Sequence, residues 1–333
     1  MNAAAAEADR PRRPVLALCG GIGGAKLALG LYHSLQPGEL VVAVNTGDDF
    51  EHLGLSISPD IDTVLYTLGG VADPVRGWGR ADESWNFMAA LRELGGETWF
   101  NLGDRDLAMH VERTRMLRGG TPLSAFVSAA AKRLGITGEI VPATDDPLYT
   151  VVMTDEGELP FQVYFVKRGC RPRVRGFRFD RAEQARPAAR LLETLASPRL
   201  RAVVICPSNP YLSINPMLAM TALRRAIAQS PAPVIAVSPI IGGRAVKGPT
   251  AKIMAELGLA VNNRSIAAQY RGLIDGLVVD AADAADANGL DLPLLATRTL
   301  MEDLADRKRL AGEVIRFADA IAATARSRRR EAR

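Results

Sequence analysis

Five short apolar runs constrain the fold of this 333-residue chain more than any other feature. Each is long enough for a buried strand and too short for a core helix. They are PVLALCG (14–20), ELVVAV (39–44), RAVVICPSNP (201–210), APVIAVSPIIGG (232–243) and IDGLVVD (274–280). Helical stretches such as AKLALGLYHSL (25–35) and TAKIMAELGL (250–259) alternate with them. The alternation predicts an α/β fold with a doubly wound, mostly parallel sheet of the Rossmann-like class.

Two further segments predict additions to this sheet. LYTVVMTDEGELPFQVYFV (148–166) has a turn between two β-rich runs, which predicts a β-hairpin insertion. TWFNLGDRD (98–106) predicts a short strand, a polar loop and the start of a helix. No linker or internal repeat divides residues 14–325, so we expect one α/β domain between a disordered extension (1–13) and a basic tail (326–333).

The formal net charge of +4 resides in the tail RSRRREAR, whose five arginines and one glutamate also sum to +4. The rest of the chain is therefore neutral, and the basic run KRGCRPRVRGFRF (167–179) is typical of an edge hairpin, so we expect no nucleic-acid partner. No apolar run approaches the roughly 20 residues that span a bilayer, so we expect no membrane segment. Three cysteines without C-x-x-C spacing favour a reducing, cytoplasmic location.

One stretch is crowded with acids. AVNTGDDFEHLGLSISPDIDT (43–63) contains five carboxylates, and no lysine or arginine occurs from Leu27 through Val75. Crowded carboxylates raise each other's pKa and repel, unless a cation or a hydrogen-bonding ligand is supplied. The stretch therefore predicts a bound cation or ligand.

The positions of these acids favour a functional site. Asp48 and Asp49 follow the second apolar run directly, and Asp60 and Asp62 fall in the first turn of a helix predicted to begin at Pro59. Ligands of doubly wound sheets bind beyond the carboxyl ends of strands, and hard divalent cations pair carboxylates with substrate phosphates. Helix capping is the alternative for Asp60 and Asp62, and it leaves the other two acids unexplained.

Glycine-rich loops follow other predicted strands. GGIGGAK (20–26) lies where a strand turns into a helix, the place where backbone amides bind phosphate. It matches neither the dinucleotide nor the Walker fingerprint, so a tight turn with close helix packing is equally open. PSNPYLSINP (207–216) offers Ser208 and Asn209 to a nucleobase or phosphate, and SPIIGGRAVKGP (238–249) offers glycines and two cations.

The segment GDRD contributes Asp104 and Asp106 to a further loop, where helix capping is again the alternative. His110 lies on an apolar helix face. We find no acid or cysteine at ligand spacing from it, so the sequence predicts a structural role for this histidine.

Six blocks of the sequence, in order, closely resemble the family of 2-phospho-L-lactate transferases. The blocks are GGIGGAKLALGL, NTGDDFEHLGLSISPDIDTVLYTLGG, FNLGDRDLAMH, PATDDPLYT, PSNPYLSINP and SPIIGGRAVKGP. The resemblance runs from about residue 14 to about residue 300. It implies an enzyme of coenzyme F-420 biosynthesis. Such an enzyme transfers a phosphorylated three-carbon acid from its guanosine diphosphate ester to the ribityl hydroxyl of the deazaflavin Fo, 7,8-didemethyl-8-hydroxy-5-deazariboflavin, and releases GMP.

The resemblance also implies Mg²⁺ as cofactor, small-molecule substrates, a homodimer and a set of site residues. Asp48 and Asp62 are implied as catalytic residues and metal ligands. The residues implied for Fo are Asp49, Asp62, Asn101 and Asp104. The residues implied for the nucleotide are Gly21, Gly23, Gly24, Lys26, Ser208, Asn209 and Gly248.

Two other functions compete with the transferase. Nucleotide-sugar-binding regulatory proteins share this fold and a similar glycine loop, but their acid block usually resembles VADDGGSSG, which is absent here. An NAD-dependent dehydrogenase would need the third glycine that the loop lacks. The three-carbon acid stays open among 2-phospholactate, phosphoenolpyruvate and 3-phosphoglycerate.

Overall fold

The fold is organised around one seven-stranded sheet in which all neighbouring strands are parallel. A computed structural model describes residues 13–246 and 248–331, with side chains given as far as residue 324. The strands are β1 (Val15–Cys19), β2 (Leu40–Val44), β3 (Phe50–His52), β4 (Leu55–Ile57), β5 (Glu139–Pro142), β6 (Tyr149–Thr154), β7 (Gly157–Pro160), β8 (Val174–Asp180), β9 (Ala202–Ile205), β10 (Val234–Val237), β11 (Ile240–Ile241), β12 (Arg244–Ala245), β13 (Gly276–Asp280) and β14 (Leu294–Thr297). The large sheet has the order β5-β2-β1-β9-β10-β13-β14.

Helices cover both faces of this sheet. They are α1 (Gly21–Ser34), α2 (Pro59–Leu68), α3 (Asn86–Glu93), α4 (Asp104–Arg118), α5 (Leu123–Arg133), α6 (Ala189–Ala196), α7 (Asn215–Ala219), α8 (Thr221–Ala228), α9 (Thr250–Glu256), α10 (Asn263–Gln269) and α11 (Leu304–Glu331). Short π-helical segments occupy Val163–Lys167 and Pro210–Ile214, and a 3₁₀ segment occupies Ala281–Ala287.

Burial on both faces explains the continuous apolar runs in the sequence. Leu16 and Leu18 of β1 enter one core, while Val15, Ala17 and Cys19 enter the core on the other face. A strand buried on both sides cannot alternate apolar and polar residues, so it forms an unbroken apolar run. The predicted doubly wound, Rossmann-like fold class is confirmed.

The strand order reverses between β1 and β9, and this reversal places the candidate site. From β1 the chain moves to β2 on one side, and it returns later to β9 on the other. Cys19 pairs in register with Val44 of β2, and Leu18 pairs with Ile205 of β9, so the three strands end level. Their polar loops therefore meet at one edge, where doubly wound proteins bind ligands.

The hairpin is present, with differences from the prediction. β6 pairs with β7 and also with β8, which makes a three-stranded antiparallel sheet. β7 ends at Pro160, and the chain turns into a π-helical segment instead of the longer strand that we expected.

The predicted short strand within residues 98–106 is wrong, because this part of the chain is an irregular loop that leads into α4. Trp99 and Phe100 pack their rings against Phe50 and His52, at centroid distances of 4.9–6.1 Å. Aromatic packing therefore holds the segment that we expected to pair with a strand.

The two ends of the chain lie at the limits of the described structure. Most of the predicted extension, residues 1–12, falls outside it, as do residues 332–333 of the tail. The backbone of residues 326–331 continues α11. Among the residues described, none of the helices is both long and apolar enough to cross a bilayer.

Helix α11 packs directly on α1 through a glycine. A Cβ atom added at Gly30 of α1 would lie only 2.1 Å from the carbonyl oxygen of Arg307 in α11. The two helix backbones therefore approach too closely for any side chain at this position.

Gly30→Ala should lower the free energy of unfolding by about 1–3 kcal/mol, because the helices must separate to admit the methyl group. Gly312→Ala in α11 is the matched control, since its Cβ would meet only the flexible tip of Arg316, at 3.2 Å. Removing a helical glycine there should be neutral or stabilise by up to about 1 kcal/mol. Urea unfolding of both variants measures the difference, and equal stabilities would contradict the packing argument.

Candidate active site

A cavity of about 550 Å³ lies at the carboxyl edge of the sheet, where the strand order reverses. Loops after β1, β2, β9, β10 and β14 contribute to its walls. Nine of the residues predicted from the sequence line it: Gly21, Gly23, Lys26, Asp48, Asp62, Asn101, Ser208, Asn209 and Gly248. The topology therefore brings residues that are up to 227 positions apart, Gly21 and Gly248, to one place.

Three predicted residues lie outside the described lining of this cavity. Asp49 is half-buried, and its carboxylate accepts a hydrogen bond from Ser58 Oγ at 2.8 Å. Asp104 accepts from the backbone amides of Asn86 and Phe87, both at 3.1 Å, so it caps helix α3. Gly24 packs so closely on Ser208 that an added Cβ would lie 2.3 Å from the serine oxygen.

The glycine loop after β1 presents the first turn of α1 to the cavity. Gly21 has a φ of +63°, which favours glycine. The amide of Gly20 donates to Ser208 Oγ at 3.1 Å, and the amide of Gly21 donates to Asp60 Oδ1 at 2.6 Å. The amides of Ile22 and Gly23 also belong to the first turn, where a helix provides no acceptor of its own. These two are the amides that can face a phosphate.

Close packing holds the same loop. A Cβ at Gly23 would lie 2.6 Å from the carbonyl oxygen of Pro207 in the loop after β9. Of the two alternatives left open by the sequence, tight packing is therefore present in this loop, and the anion-facing turn stays a prediction.

The acid loop after β2 buries charge. Asp60 Oδ2 accepts a hydrogen bond from Asn45 Nδ2 at 3.0 Å. Burial raises the pKa of Asp60 to about 6, although the hydrogen bonds from Asn45 and from the amide of Gly21 act in the opposite direction. Burial, and then the charge of Asp60, raise the pKa of Asp48 well above its usual value. Oδ1 of Asp48 is buried without a hydrogen-bond partner among the described residues.

Asp62 has a basic partner that comes from outside the acid stretch. Arg113 of α4 is fully buried, and its Nη2 donates to Asp62 Oδ1. Its Nη1 donates to the carbonyl oxygen of Ser56 at 3.2 Å, and its guanidinium lies 5.1 Å from the ring centroid of Phe126. The expectation of acids without a protein cation is therefore wrong for Asp62. Its Oδ2 nevertheless has no hydrogen-bond partner in the described chain.

His110 lines the cavity, and an acid does lie at ligand spacing from it, which corrects the premise of its predicted structural role. Its Nε2 lies 3.3 Å from Asp106 Oδ2, and its Nδ1 lies 3.7 Å from Asp62 Oδ2. We overlooked that Asp106 precedes His110 by four residues, which is about one helical turn. Burial raises the pKa of Asp106, but the hydrogen bond and charge of His110 outweigh it, so the net shift is downward.

Asp62, Asp106 and His110 form the one group of metal-ligating type found in the described residues, with ligand atoms within 4.8 Å of one another. Their contacts are already used, however. Asp106 Oδ1 accepts from Tyr66 Oη at 2.6 Å, and Asp106 Oδ2 lies 3.3 Å from His110 Nε2, so both oxygens of Asp106 are engaged. We interpret this group as a buried polar network that holds Asp62 in place.

An apolar wall forms part of the cavity lining, and no motif in the sequence predicted it. Its members come from four separate segments: Ile57, Trp78, Phe100, Phe161, Phe165 and Val166. The rings of Phe161 and Phe165 are stacked, with centroids 5.3 Å apart. Such a wall suits a planar aromatic ligand.

The remaining predicted residues are anchored locally. Lys26 Nζ donates to the carbonyl oxygen of Met301 at 2.8 Å, which ties α1 to the loop before α11. Asn209 Oδ1 accepts from the amide of Tyr211 at 2.9 Å and from that of Leu212 at 3.2 Å. Lys247, one of the two cations noted in the sequence, lies outside the described residues.

Two carboxylates at the cavity are of the type that binds a divalent cation. Asp48 Oδ1 and Asp62 Oδ2 are buried carboxylate oxygens, and neither has a hydrogen-bond partner within the described part of the chain. Both residues line the cavity. Oxygen atoms of this kind are the ligands that Mg²⁺ prefers, so the donor set fits the predicted metal.

Comparison with known proteins is consistent with this geometry. The sequence model of the CofD family, 2-phospho-L-lactate transferase, matches residues 15–315. A phosphoenolpyruvate transferase from Kitasatospora aureofaciens is 41% identical over 298 residues, which cover 85% of this chain and 92% of the relative. A 2-phospho-L-lactate transferase from Methanopyrus kandleri is 40% identical over 307 residues, covering 91% and 96%.

A solved structure from Bacillus halodurans, a protein of the UPF0052 family, shares the fold with a TM-score of 0.60 at 15% identity, over 92% of this chain and 99% of that protein. The chain belongs to the CofD family. The predicted family, and with it the prediction of a transferase of coenzyme F-420 biosynthesis, is confirmed.

Arg113→Met should lower the free energy of unfolding by about 3–5 kcal/mol at pH 7, because it leaves the Asp62 charge buried and uncompensated. Burial already raises the pKa of Asp62 despite the opposing charges of Arg113 and His110. Protonation of Asp62 removes the uncompensated charge, so the loss should shrink as the pH falls.

The matched control is Arg115→Met on the same helix, because Arg115 pairs with Glu112 on the surface. It should show no measurable change. Urea unfolding between pH 5 and 8 tests both variants. If Arg113→Met lowers the free energy of unfolding only slightly, or by an amount that does not depend on pH, Arg113 does not stabilise the charged form of Asp62.

Proposed function

We propose that this CofD-family transferase moves a phosphorylated three-carbon acid from its guanosine diphosphate ester to the terminal ribityl hydroxyl of Fo, with release of GMP. The observation that carries the proposal is the composition of the cavity. Glycine amides that can face phosphate, buried acids and an aromatic wall surround one volume of about 550 Å³. A transfer between a nucleotide donor and a planar acceptor needs these three surfaces in one cavity.

The donor belongs on the glycine side. The first turn of α1 directs the amides of Ile22 and Gly23 and the positive end of the helix dipole at an anion. Ser208 and Asn209 line the cavity beside this turn, and Gly248, at a φ of +73°, brings a further loop to its edge. Two adjacent phosphates would lie along these loops, and the guanosine would follow them.

The acceptor belongs on the apolar side. A deazaflavin is a planar ring system, and Phe100, Phe161 and Phe165 offer ring faces and edges to it. Asn101 lines the cavity next to this wall and is exposed, so its amide can bond a polar edge of the ring. The ribityl chain would then extend toward the acids.

The chemistry follows from this placement. The ribityl oxygen bonds to the phosphorus that carries the acid, and the bond from that phosphorus to the bridging oxygen of GMP breaks. The hydroxyl proton goes to a carboxylate, either Asp48 or Asp62.

Asp48 Oδ1 and Asp62 Oδ2 would hold Mg²⁺, which supplies neutralisation of the diphosphate charge when bound. Arg113 would keep Asp62 oriented toward the ion. The apolar side chains of the wall would limit the access of water to the acceptor. Mg²⁺, the homodimer and the predicted location remain predictions.

The donor acid is a separate question. Curated relatives with similar identity to this chain carry two names, phosphoenolpyruvate transferase and 2-phospho-L-lactate transferase. An enolpyruvyl and a lactyl group differ little in size, so the discrimination between them depends on few contacts.

The purified protein, given Fo, Mg²⁺ and the guanosine diphosphate ester of each of the three acids, should convert at least one of them. Mass spectrometry should find Fo plus the phosphorylated acid, and chromatography should find an equal amount of GMP. Because the cavity is built for a phosphate-bearing nucleotide, omission of the donor or of Fo should abolish both products. GDP-ester hydrolysis without any Fo adduct would contradict the proposed transfer.

Asp48→Asn tests the metal assignment better than Asp62→Asn, which would also leave Arg113 without its carboxylate partner. We expect turnover to fall roughly a thousandfold, as for the loss of a ligand of a catalytic metal. Stability should move the other way. Because the pKa of Asp48 is raised in the folded protein, protonated Asp48 favours folding at low pH, and this contribution is lost as the pH rises. Asparagine stays neutral at every pH, so Asp48→Asn should have a higher Tm than the unmodified protein at pH 7 without metal.

Thermal unfolding with and without Mg²⁺ completes this test. The ion should raise Tm of the unmodified protein and have little effect on Asp48→Asn. Turnover within about tenfold of the unmodified protein, together with an unchanged Mg²⁺ effect on Tm, would show that Asp48 holds no metal.

A further inference from the structure

Asp60 has no part in the reaction above, yet it joins the two loops on which that reaction depends. Oδ1 accepts a hydrogen bond from the amide of Gly21, in the loop after β1, at 2.6 Å. Oδ2 accepts one from Asn45 Nδ2, in the loop after β2, at 3.0 Å. The carboxylate is buried at the edge of the cavity. One side chain therefore fixes the donor loop to the acid loop.

The contact also decides which amides remain for the donor. Asp60 occupies the amide of Gly21, and Ser208 occupies the amide of Gly20. An incoming phosphate is thereby directed to the next amides of the first turn. The fit is tight, because a Cβ added at Gly20 would lie 2.6 Å from Asp60 Oδ2.

Asn45 is held as firmly as Asp60. Its Oδ1 accepts from the amide of Gly47 at 2.9 Å, and its Nδ2 is left to donate to Asp60. The roles of the two oxygens and the amide nitrogen are thus fixed by their neighbours. Exchange of the two residue types would reverse the hydrogen bond between positions 45 and 60 and keep those from the amides of Gly21 and Gly47. It would lose only the long donation from Asn45 Nδ2 to the carbonyl oxygen of Leu212, at 3.5 Å.

We propose that Asp60 is a positioning residue that sets the distance between the donor phosphates and Asp48 by tying Gly21 to Asn45. The proposal rests on the function proposed above, because it presumes that the donor lies on the glycine loop. Both oxygens of Asp60 are engaged by Gly21 and Asn45, so it acts through the two loops that it joins.

Asp60→Asn should disturb this link, because an amide cannot accept from both Gly21 and Asn45. We expect kcat to fall between about tenfold and a hundredfold, and the Kd for GDP to rise about tenfold, as for a lost hydrogen bond to a charged group. The double variant Asn45→Asp with Asp60→Asn restores the link with the hydrogen bond reversed. It should recover kcat and the GDP Kd to within about fivefold of the unmodified protein.

Asp286→Asn is the matched control. Asp286 also accepts from a backbone amide and an asparagine side chain, those of Asn263 at 3.2 and 2.9 Å, and it lies outside the described cavity lining. This variant should lose stability comparably and keep both kcat and GDP affinity, which separates positioning from a general loss of folding.

Calorimetry with GDP and turnover with Fo measure the two effects independently. The inference is overturned if Asp60→Asn binds GDP with unchanged affinity. It is also overturned if the double variant has no higher kcat and no lower GDP Kd than Asp60→Asn, because the charge at position 60 would then itself be required. If the unmodified protein binds GDP but transfers nothing to Fo, the proposed function fails, while the GDP affinities of the variants still decide the role of Asp60.

Discussion

The guanidinium of Arg113 is fully buried, and the carboxylate of Asp62 is its principal partner. A buried charge without a partner costs several kcal/mol, so neither residue could stand in this interior alone. The pair joins α4 to α2, and Arg113 also bonds the backbone of Ser56 in β4. With one oxygen of Asp62 held by Arg113, the other is buried, lies 3.7 Å from His110 Nδ1 and has no hydrogen-bond partner among the described groups. The ion pair therefore both permits the buried acid and fixes its orientation.

The parallel sheet explains why so much polarity collects at one edge. Its strands are buried on both faces, so the first places where polar residues can occur are the loops at the strand ends. Asp48 and Asp60 lie there with pKa values raised by burial, which shows that their charged forms are held at a cost. A protein selected for stability alone would replace them by neutral residues. The cation and the anionic substrate proposed above would offset this cost.

The sequence predicted those parts of the structure that local patterns govern. Strand burial, the loops after strands and the cavity position of Asp48 all follow from short apolar runs and from the topology of parallel sheets. Long-range pairing was not visible. No sequence pattern near residue 62 predicts its contact with Arg113, because the two residues meet only when α4 packs against α2. The Asp106 and His110 pair was visible at a spacing of four residues and was missed. Asp104 carries the same residue type as a metal ligand but caps a helix, a distinction that only the fold makes.

The central claim is that two buried oxygens without a hydrogen-bond partner in the described chain, Asp48 Oδ1 and Asp62 Oδ2, hold the divalent cation of the transfer. The most direct test is a crystal structure of the protein with Mn²⁺ and GDP, measured at a wavelength where manganese scatters anomalously. A peak within coordination distance of both carboxylates, about 2.0–2.3 Å, is the result expected for hard oxygen ligands. A peak bounded by Asp106 and His110 and remote from Asp48, or one outside the cavity, would contradict the claim and would make the buried network the metal site.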